Sequence, residues 1–128
     1  MTTVVLDTHV ALWWSFLPEK LSPKAAKALE DAETLFIPAI AFWETALLVR
    51  KGRLSLAITP AAWLRGLRST ARVKIESISA EIALRADQLA MHDDPADRMI
   101  VATALRRSAP LVTKDASLRA TKLVPTIW

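Results

Sequence analysis

The sequence predicts an α/β fold: one domain over residues 1–128, a parallel sheet of about four to five strands with helices on both faces. Three observations predict it. The first is a set of short apolar runs, Thr3-Val4-Val5-Leu6, Thr34-Leu35-Phe36-Ile37 and Pro110-Leu111-Val112-Thr113. They lack the polar alternation of a strand with one wet face, so they read as strands buried on both sides. The second is their order, since helical patterns fall between them and alternating strand and helix favours a parallel sheet. The third is composition. A chain of 128 residues that is 52% hydrophobic and has only two glycines suits a compact, helix-rich body large enough to bury a core.

The opening run ends in Asp7-Thr8, a carboxylate and a hydroxyl at a strand's C-terminal end. In open α/β sheets the strand-to-helix loops converge on that edge, where ligands and chemistry sit. Asp7 equally suits the N-cap of a helix beginning at about Val10. That helix is almost wholly apolar to Phe16 and carries Trp13 and Trp14 side by side. Neighbours on a helix point in different directions, so at least one indole should face a second layer or a partner. Pro18 ends the helix, and Ser22-Pro23 opens the next by the N-cap and Pro-at-N1 rule, to about Ala32.

Pro38 stops the second strand, and a helix should follow from about Ala39 to Lys51, with Gly52 at C′. Its Ile40, Leu47 and Leu48 form an apolar stripe that Glu44 interrupts. A buried carboxylate without a partner is costly, and no base lies one turn towards the N-terminus, so Glu44 is expected to line a site. Thr59-Pro60 opens a further helix, to about Thr70, and Val73 to Ile78 alternates like a short edge strand. Ser79 caps a helix with Ile82, Ala83 and Ala86 inside and Glu81 and Arg85 as an i,i+4 surface pair. In Asp94-Pro95-Ala96-Asp97, Asp94 is N-cap and Asp97 falls at N3, on the face of Ile100, Val101 and Ala104. The run Pro110 to Thr113 leads into Lys114-Asp115, and a last strand is expected at Leu123 and Val124.

With no cysteine, disulfides and thiolate metal sites are excluded, and a cytoplasmic location is the simplest reading. No signal peptide is visible, and no apolar run reaches the roughly 18 residues a membrane span needs, so no membrane association is expected. The formal charge is +4 and the pI near 9.9, compatible with a polyanionic partner. Bases gather in clusters: Arg50, Lys51 and Arg53; Arg65, Arg68, Arg72 and Lys74; Arg106 and Arg107; Lys114, Arg119 and Lys122. Taken singly, each cluster reads as a solvated helix face.

Two strands thus end in acids, Asp7 and Asp115, and two helices carry acids towards the same edge, Glu44 and Asp97. Two carboxylates 4 Å apart repel by about 4 kcal/mol at an effective dielectric of ~20. Only a shared proton or a cation holds several ionised together. An all-oxygen set without Cys or paired His favours a hard ion, Mg2+ or Mn2+, and such ions work mostly on phosphates. An acidic pocket within a basic surface fits a nuclease, with the bases holding the backbone.

The segments Val4-Val5-Leu6-Asp7-Thr8-His9-Val10-Ala11-Leu12-Trp13-Trp14, Phe42-Trp43-Glu44, His92-Asp93-Asp94-Pro95-Ala96-Asp97-Arg98-Met99-Ile100-Val101-Ala102 and Val112-Thr113-Lys114-Asp115 resemble PIN domains, in particular the VapC-type toxins of bacterial toxin–antitoxin pairs. The resemblance covers nearly the whole chain, in order. It implies a single PIN domain that acts as a metal-dependent endoribonuclease on RNA. It also implies a homodimer that forms a hetero-oligomer with a small cognate antitoxin. Its acidic quartet maps onto Asp7, Glu44, Asp97 and Asp115 as catalytic, Mg2+- or Mn2+-binding residues, with Thr8 and Thr113 as supporting hydroxyls. Asp94 competes with Asp97 for the third place.

Other readings are open. A phospho-acceptor domain would need an acidic pair before its first strand's Asp and a Lys at a later strand end, for which Lys114 is a poor substitute. A dehalogenase-like phosphatase wants a second Asp two residues after Asp7, where His9 stands. A silent binding module would predict broken site carboxylates. His9 is expected to pack beside Trp13, His92 to bond within a loop, and Trp43 and Trp63 to serve core or interface. The apolar surface of Trp13 and Trp14 points to a dimer interface.

Overall fold

The computed structural model describes residues 2–128. In chain order the elements are β1 (Thr3–Leu6), α1 (Thr8–Phe16), a 3-10 turn (Pro18–Lys20), α2 (Pro23–Asp31), β2 (Thr34–Pro38), α3 (Ile40–Arg50), α4 (Pro60–Arg68), β3 (Val73–Glu76), α5 (Ala80–Gln88), α6 (Pro95–Arg107), β4 (Leu111–Val112), α7 (Ala116–Thr121) and β5 (Thr126–Ile127). The five strands form one sheet in the order β3-β2-β1-β4-β5, and every pairing is parallel. The α/β architecture and the sheet expected from the sequence are therefore observed.

Period-two alternation in the strands separates two cores. Val4, Leu6, Leu35 and Ile37 face a layer built from α1, α2 and α4, through Val10, Ala25, Leu29, Trp63 and Leu67. Val5, Phe36 and Leu111 face the opposite layer, through Ile100, Val101 and Ala104 of α6 and Leu118 of α7. With both faces covered, the central strands have no wet side, hence their uninterrupted apolar runs. α5 packs on the outside of α6, through Ile82 and Ala86 against Ala102.

The helix boundaries follow local chemistry. Ser22, Thr59 and Ser79 each accept a bond from the backbone N–H three residues on, and Pro23 and Pro60 occupy the first helical position. Gly52 ends α3 at φ 71°, where its N–H reaches the Val49 carbonyl and the Arg53 N–H reaches Leu48, a Schellman closure. Ile40, Leu47 and Leu48 are only half-buried, and the inner residues of α3 are Ala41 and Thr45. The stripe that Glu44 interrupts is the margin of a cleft rather than core.

Four expectations are corrected. The last strand is Thr126–Ile127, not Leu123 and Val124. Val124 instead fills the core, and because Pro125 has no N–H the ladder begins where its carbonyl accepts from Leu111. α1 begins at Thr8 rather than Val10, directly after its Asp7 cap. Glu81 and Arg85 form no ion pair within 4 Å among the described residues. Finally, several bases read as solvated are built into the fold. The Arg72 guanidinium donates to the carbonyls of Leu29 and Ala32 at the end of α2, and Arg106 and Arg107 pair with the buried Glu76 carboxylate.

Candidate active site

The chain winds outward from β1 to β2 and β3, then returns past β1 to β4 and β5 on its other side. The strand order thus reverses between β1 and β4. α1, which follows β1, lies on one face of the sheet, and α7, which follows β4, lies on the other. Diverging connections open a crevice at the C-terminal ends of those two strands, the place where open parallel sheets bind ligands. Asp7 and Asp115 stand on its two sides.

Both acids are helix caps as well as crevice walls. Asp7 is 4% exposed; its Oδ1 accepts from the Thr8 N–H at 2.7 Å and its Oδ2 from the Thr113 hydroxyl at 2.7 Å. The Thr113 oxygen in turn accepts from the Asp115 N–H at 3.0 Å, which ties the β4 terminus to the β1 terminus. Asp115 caps α7, its Oδ1 accepting from the Ser117 N–H at 2.8 Å and the Ser117 hydroxyl at 2.6 Å. Burial raises the Asp115 pKa, but the Ser117 hydrogen bonds and the Leu118 N–H outweigh it, and the net shift is downward.

The other two acids arrive from helices. Glu44 extends from α3, and its Oε1 accepts from the Thr8 hydroxyl. Asp97 sits in the first turn of α6, one turn above the buried Ile100 and Val101. Together with Thr8, His9, Leu12, Leu48 and Asp94, the four acids line one cleft of about 300 Å³. The sequence-predicted quartet is thus brought together, with Asp94 at its rim. Burial raises the Asp97 pKa to about 7, and Asp7, Asp94, Asp115 and Glu44 add to the shift by repulsion. Burial also raises Glu44, against the Thr8 hydrogen bond and with repulsion from Asp7 and Asp94.

Asp94 caps α6, its Oδ1 taking the Asp97 N–H at 3.0 Å. Asp97 makes no reciprocal bond to the Asp94 N–H, which goes to His92 Nδ1 at 3.3 Å. Its carboxylate is free to face the strand ends, with His92 Nε2 3.4 Å away. The loop before α6 is fixed by Arg98, which donates to the carbonyls of Ala86, Met91 and His92 at 2.7–2.9 Å. Sequence reasoning missed this arginine and Ser117. For Ser117 a signal existed, a hydroxyl two residues after a capping Asp; for Arg98 none did, because its partners are backbone carbonyls.

His9 packs edge-on against Trp13 as expected, with ring centroids 5.0 Å apart, and also against Trp128. Its Nε2 accepts the Lys114 N–H at 3.0 Å, and its Nδ1 lies 3.5 Å from Asp7 Oδ2. Burial lowers its pKa, despite Asp7 and Asp115 nearby. Trp63 is core, with its indole N–H on Ser15, whereas Trp43 is 57% exposed beside Glu44 and is not core. Trp14 packs against the α1-side core, and Trp13 against His9 and Trp128.

Among the described residues no three acidic or histidine side chains already stand at the spacing of a closed coordination shell. The fit to a cation rests on the donor set: four carboxylates and no thiolate around one cleft, two of them pushed towards protonation by burial and by the others' charge. A hard divalent ion relieves that repulsion and matches oxygen donors.

Comparison with known proteins agrees with this architecture. The family model described as PIN domain matches residues 4–123. Ribonuclease VapC22 of Mycobacterium tuberculosis is 44% identical over 121 residues, covering 93% of this chain and 92% of that protein. Among solved structures, VapBC2 from Rickettsia felis bound to a promoter DNA fragment superposes with a TM-score of 0.70 at 18% identity, covering 98% of this chain and 97% of that one. FitAcB from Neisseria gonorrhoeae does so with a TM-score of 0.62 at 21% identity, covering 96% and 95%. At those identities the structures speak for the fold alone. The family model and the VapC22 relationship go further, and the chain belongs to the PIN-domain family, among its VapC-type ribonucleases.

Proposed function

We propose that this chain is a metal-dependent endoribonuclease, the toxin of a toxin–antitoxin pair, with residues 1–128 working as one PIN domain. The observation that carries the reading is the convergence of Asp7, Glu44, Asp97 and Asp115 on one cleft at the switch point of the sheet. A 44% identical relative named as a ribonuclease supports the substrate class. A Klebsiella pneumoniae structure of the same fold, described as a toxin–antitoxin complex, supports an antitoxin partner and an oligomeric assembly. A two-fold homodimer is part of this proposal; Trp13 and Trp14, expected to supply its surface, pack largely on the chain's own His9, Trp128 and core, and Trp43 is the most exposed tryptophan left for an interface.

In this reading the four acids hold Mg2+ or Mn2+. When bound there, such an ion would supply positive charge against the scissile phosphate and would lower the pKa of a coordinated water. The chain's own part is placement. Thr113 fixes Asp7 Oδ2, and Thr8 holds Glu44 by its hydroxyl while its N–H holds Asp7 Oδ1. Ser117 turns Asp115 so that one carboxylate oxygen is committed to α7 and the other is left for the cleft. Burial and the neighbouring acids raise the Asp97 pKa to about 7, and Glu44 is raised as well, so the helix half of the site is the half drawn towards protonation when no cation is present.

The test is cleavage of total cellular RNA by partner-free protein with and without Mn2+, with the new ends sequenced. Cleavage should vanish in EDTA and return on adding Mg2+ or Mn2+. Undiminished cleavage in EDTA rejects the mechanism.

A further inference from the structure

Some bases of this protein are engaged by its own carboxylates and carbonyls, and others are exposed with no carboxylate partner among the described residues. Arg72, Arg98, Arg106 and Arg107 are consumed by carbonyls or by Asp93 and Glu76. Among the exposed, unpaired bases, Lys20 and Lys114 are set apart by sharing one aromatic partner. Both are exposed, neither has a carboxylate within 4 Å among the described residues, and yet their ammonium groups converge on one indole. Each Nζ lies 5.7 Å from the Trp13 ring centroid, within the range of a cation–π contact. They come from distant segments, Lys20 from the turn after α1 and Lys114 from the loop after β4.

The indole that gathers them is itself held in place. Trp13 packs against His9 and Trp128, and His9 is anchored by the Lys114 N–H and lines the acid cleft. The two lysines therefore stand on an aromatic ledge beside the catalytic crevice, Lys114 next in sequence to Asp115 and Lys20 in the adjoining hollow of Leu12, Trp13, Phe16 and Leu17. Two ammonium groups beside one indole, neither paired with a carboxylate among the described residues, leave positive charge on this ledge for an anion to balance. On the other flank, the hollow beside Glu44 is lined by Trp43, Leu47, Leu48, Asp94, Pro95 and Ala96 and offers no cation.

We propose that Lys20 and Lys114 form a subsite for a backbone phosphate of the RNA strand, next to the scissile one, so that the strand crosses the cleft from the Trp13 side. This rests on the ribonuclease reading above and adds the direction from which the substrate's backbone is held. Lysine is suited to the task as a flexible point charge that accepts many phosphate orientations. The subsite binds without reading sequence, because phosphate contacts position a strand and do not specify it.

The experiment uses the intact protein and a fluorescein-labelled random-sequence single-stranded RNA. Binding is measured by anisotropy in EDTA over a salt series, and cleavage is measured in Mn2+. For Lys20→Ala/Lys114→Ala we expect affinity to fall about tenfold at moderate salt. The slope of log affinity against log salt should become shallower by at least ~0.7, the increment for one phosphate contact on a single strand. KM should rise with kcat within about twofold, and Lys20→Arg/Lys114→Arg should restore binding. The charge-matched pair Lys24→Ala/Lys51→Ala should bind and cleave like wild type.

If wild type cleaves and the Lys20/Lys114 pair behaves like the Lys24/Lys51 pair, the subsite is overturned while the ribonuclease reading stands. If only binding of the antitoxin is weakened, the ledge belongs to that partner, and the proposal is equally overturned. If wild type fails to cleave with Mn2+, both fall together.

Discussion

The two halves of the acid cleft are built on opposite principles. The strand half, Asp7 and Asp115, is rich in donors: each acid receives backbone N–H and hydroxyl bonds and caps the helix that follows it. The helix half, Glu44 and Asp97, comes late to the same space and is short of donors. Glu44 has one hydroxyl, Asp97 has a histidine edge, and burial pushes both pKa values up. One half is pre-organised by hydrogen bonds that offset its burial, while the other half bears the repulsion that a cation would relieve. Substitutions should therefore separate cleanly into those that hurt fold and activity together and those that hurt activity alone.

The largest effect is expected at Asp7. Asp7→Asn removes one carboxylate and also weakens the charge-assisted bond from Thr113, which is buried with it. Cleavage should fall by more than about 100-fold, the scale of losing one charge-stabilising group in an active site. Stability should fall as well, by about 1–3 kcal/mol, because a buried donor loses its ionised partner. Initial cleavage rates and thermal melts on the same preparation check both parts. A variant that is inactive yet as stable as wild type would show that the strand half is not pre-organised in this way.

Asp97→Asn should match that loss of cleavage and reverse the stability effect. In metal-free buffer the variant should melt at the same temperature as wild type or a little higher, because a repelling charge is gone. Activity retained at the wild-type level would remove Asp97 from the site.

The same acid predicts a pH dependence with a definite sign. Its pKa is about 7 in the fold and about 3.9 in the unfolded chain. Below pH 4 it is protonated in both states and costs nothing. Between pH 4 and 7 the unfolded chain gives up the proton first, so stability falls as pH rises; above pH 7 the loss is complete. At about 1.4 kcal/mol per unit the ceiling is about 4 kcal/mol, for a side chain that is 18% exposed. Metal-free melts from pH 4 to 8 should thus show wild type declining more steeply than Asp97→Asn. The variant keeps a residual slope from Glu44, which is shifted in the same direction. Equal slopes would mean that Asp97 is not strained in the free protein.

This contrast also marks what could be read from the sequence. Asp7 and Asp115 were legible because an apolar strand that stops at an acid needs no tertiary information to be placed. Glu44 and Asp97 were legible by helical spacing, since each sits on or beside an apolar stripe. The strand at Thr126–Ile127 was not, because two residues of ladder carry little pattern and the better-looking Leu123 and Val124 sit before a proline. The exposure of Trp43 was also hidden, since a large aromatic on a helix next to Glu44 looks the same in sequence whether it faces core or solvent. Arg72 and Arg98 escaped because backbone carbonyls leave no trace in a residue pattern.

The smallest effect, and the sharpest division between the halves, is expected at Asp94. It belongs to neither: it caps α6 through the Asp97 N–H, and it also lines the cleft and adds to the repulsion on Asp97 and Glu44. Asp94→Ala removes the cap, worth about 1 kcal/mol, and relieves that repulsion at the same time. The melting temperature should therefore drop by a few degrees near pH 5, where Asp97 is protonated, and by less at pH 8 in metal-free buffer. Most of the cleavage should remain. Asp94→Asn separates the two roles, because asparagine caps a helix as well as aspartate but carries no charge. It should keep the wild-type melting temperature at pH 5, exceed it slightly at pH 8, and cleave nearly as wild type does. If Asp94→Asn instead abolishes cleavage with its cap intact, then the capping acid is the third cation-binding carboxylate, and the elevated pKa of Asp97 is a consequence of the site rather than a working part of it.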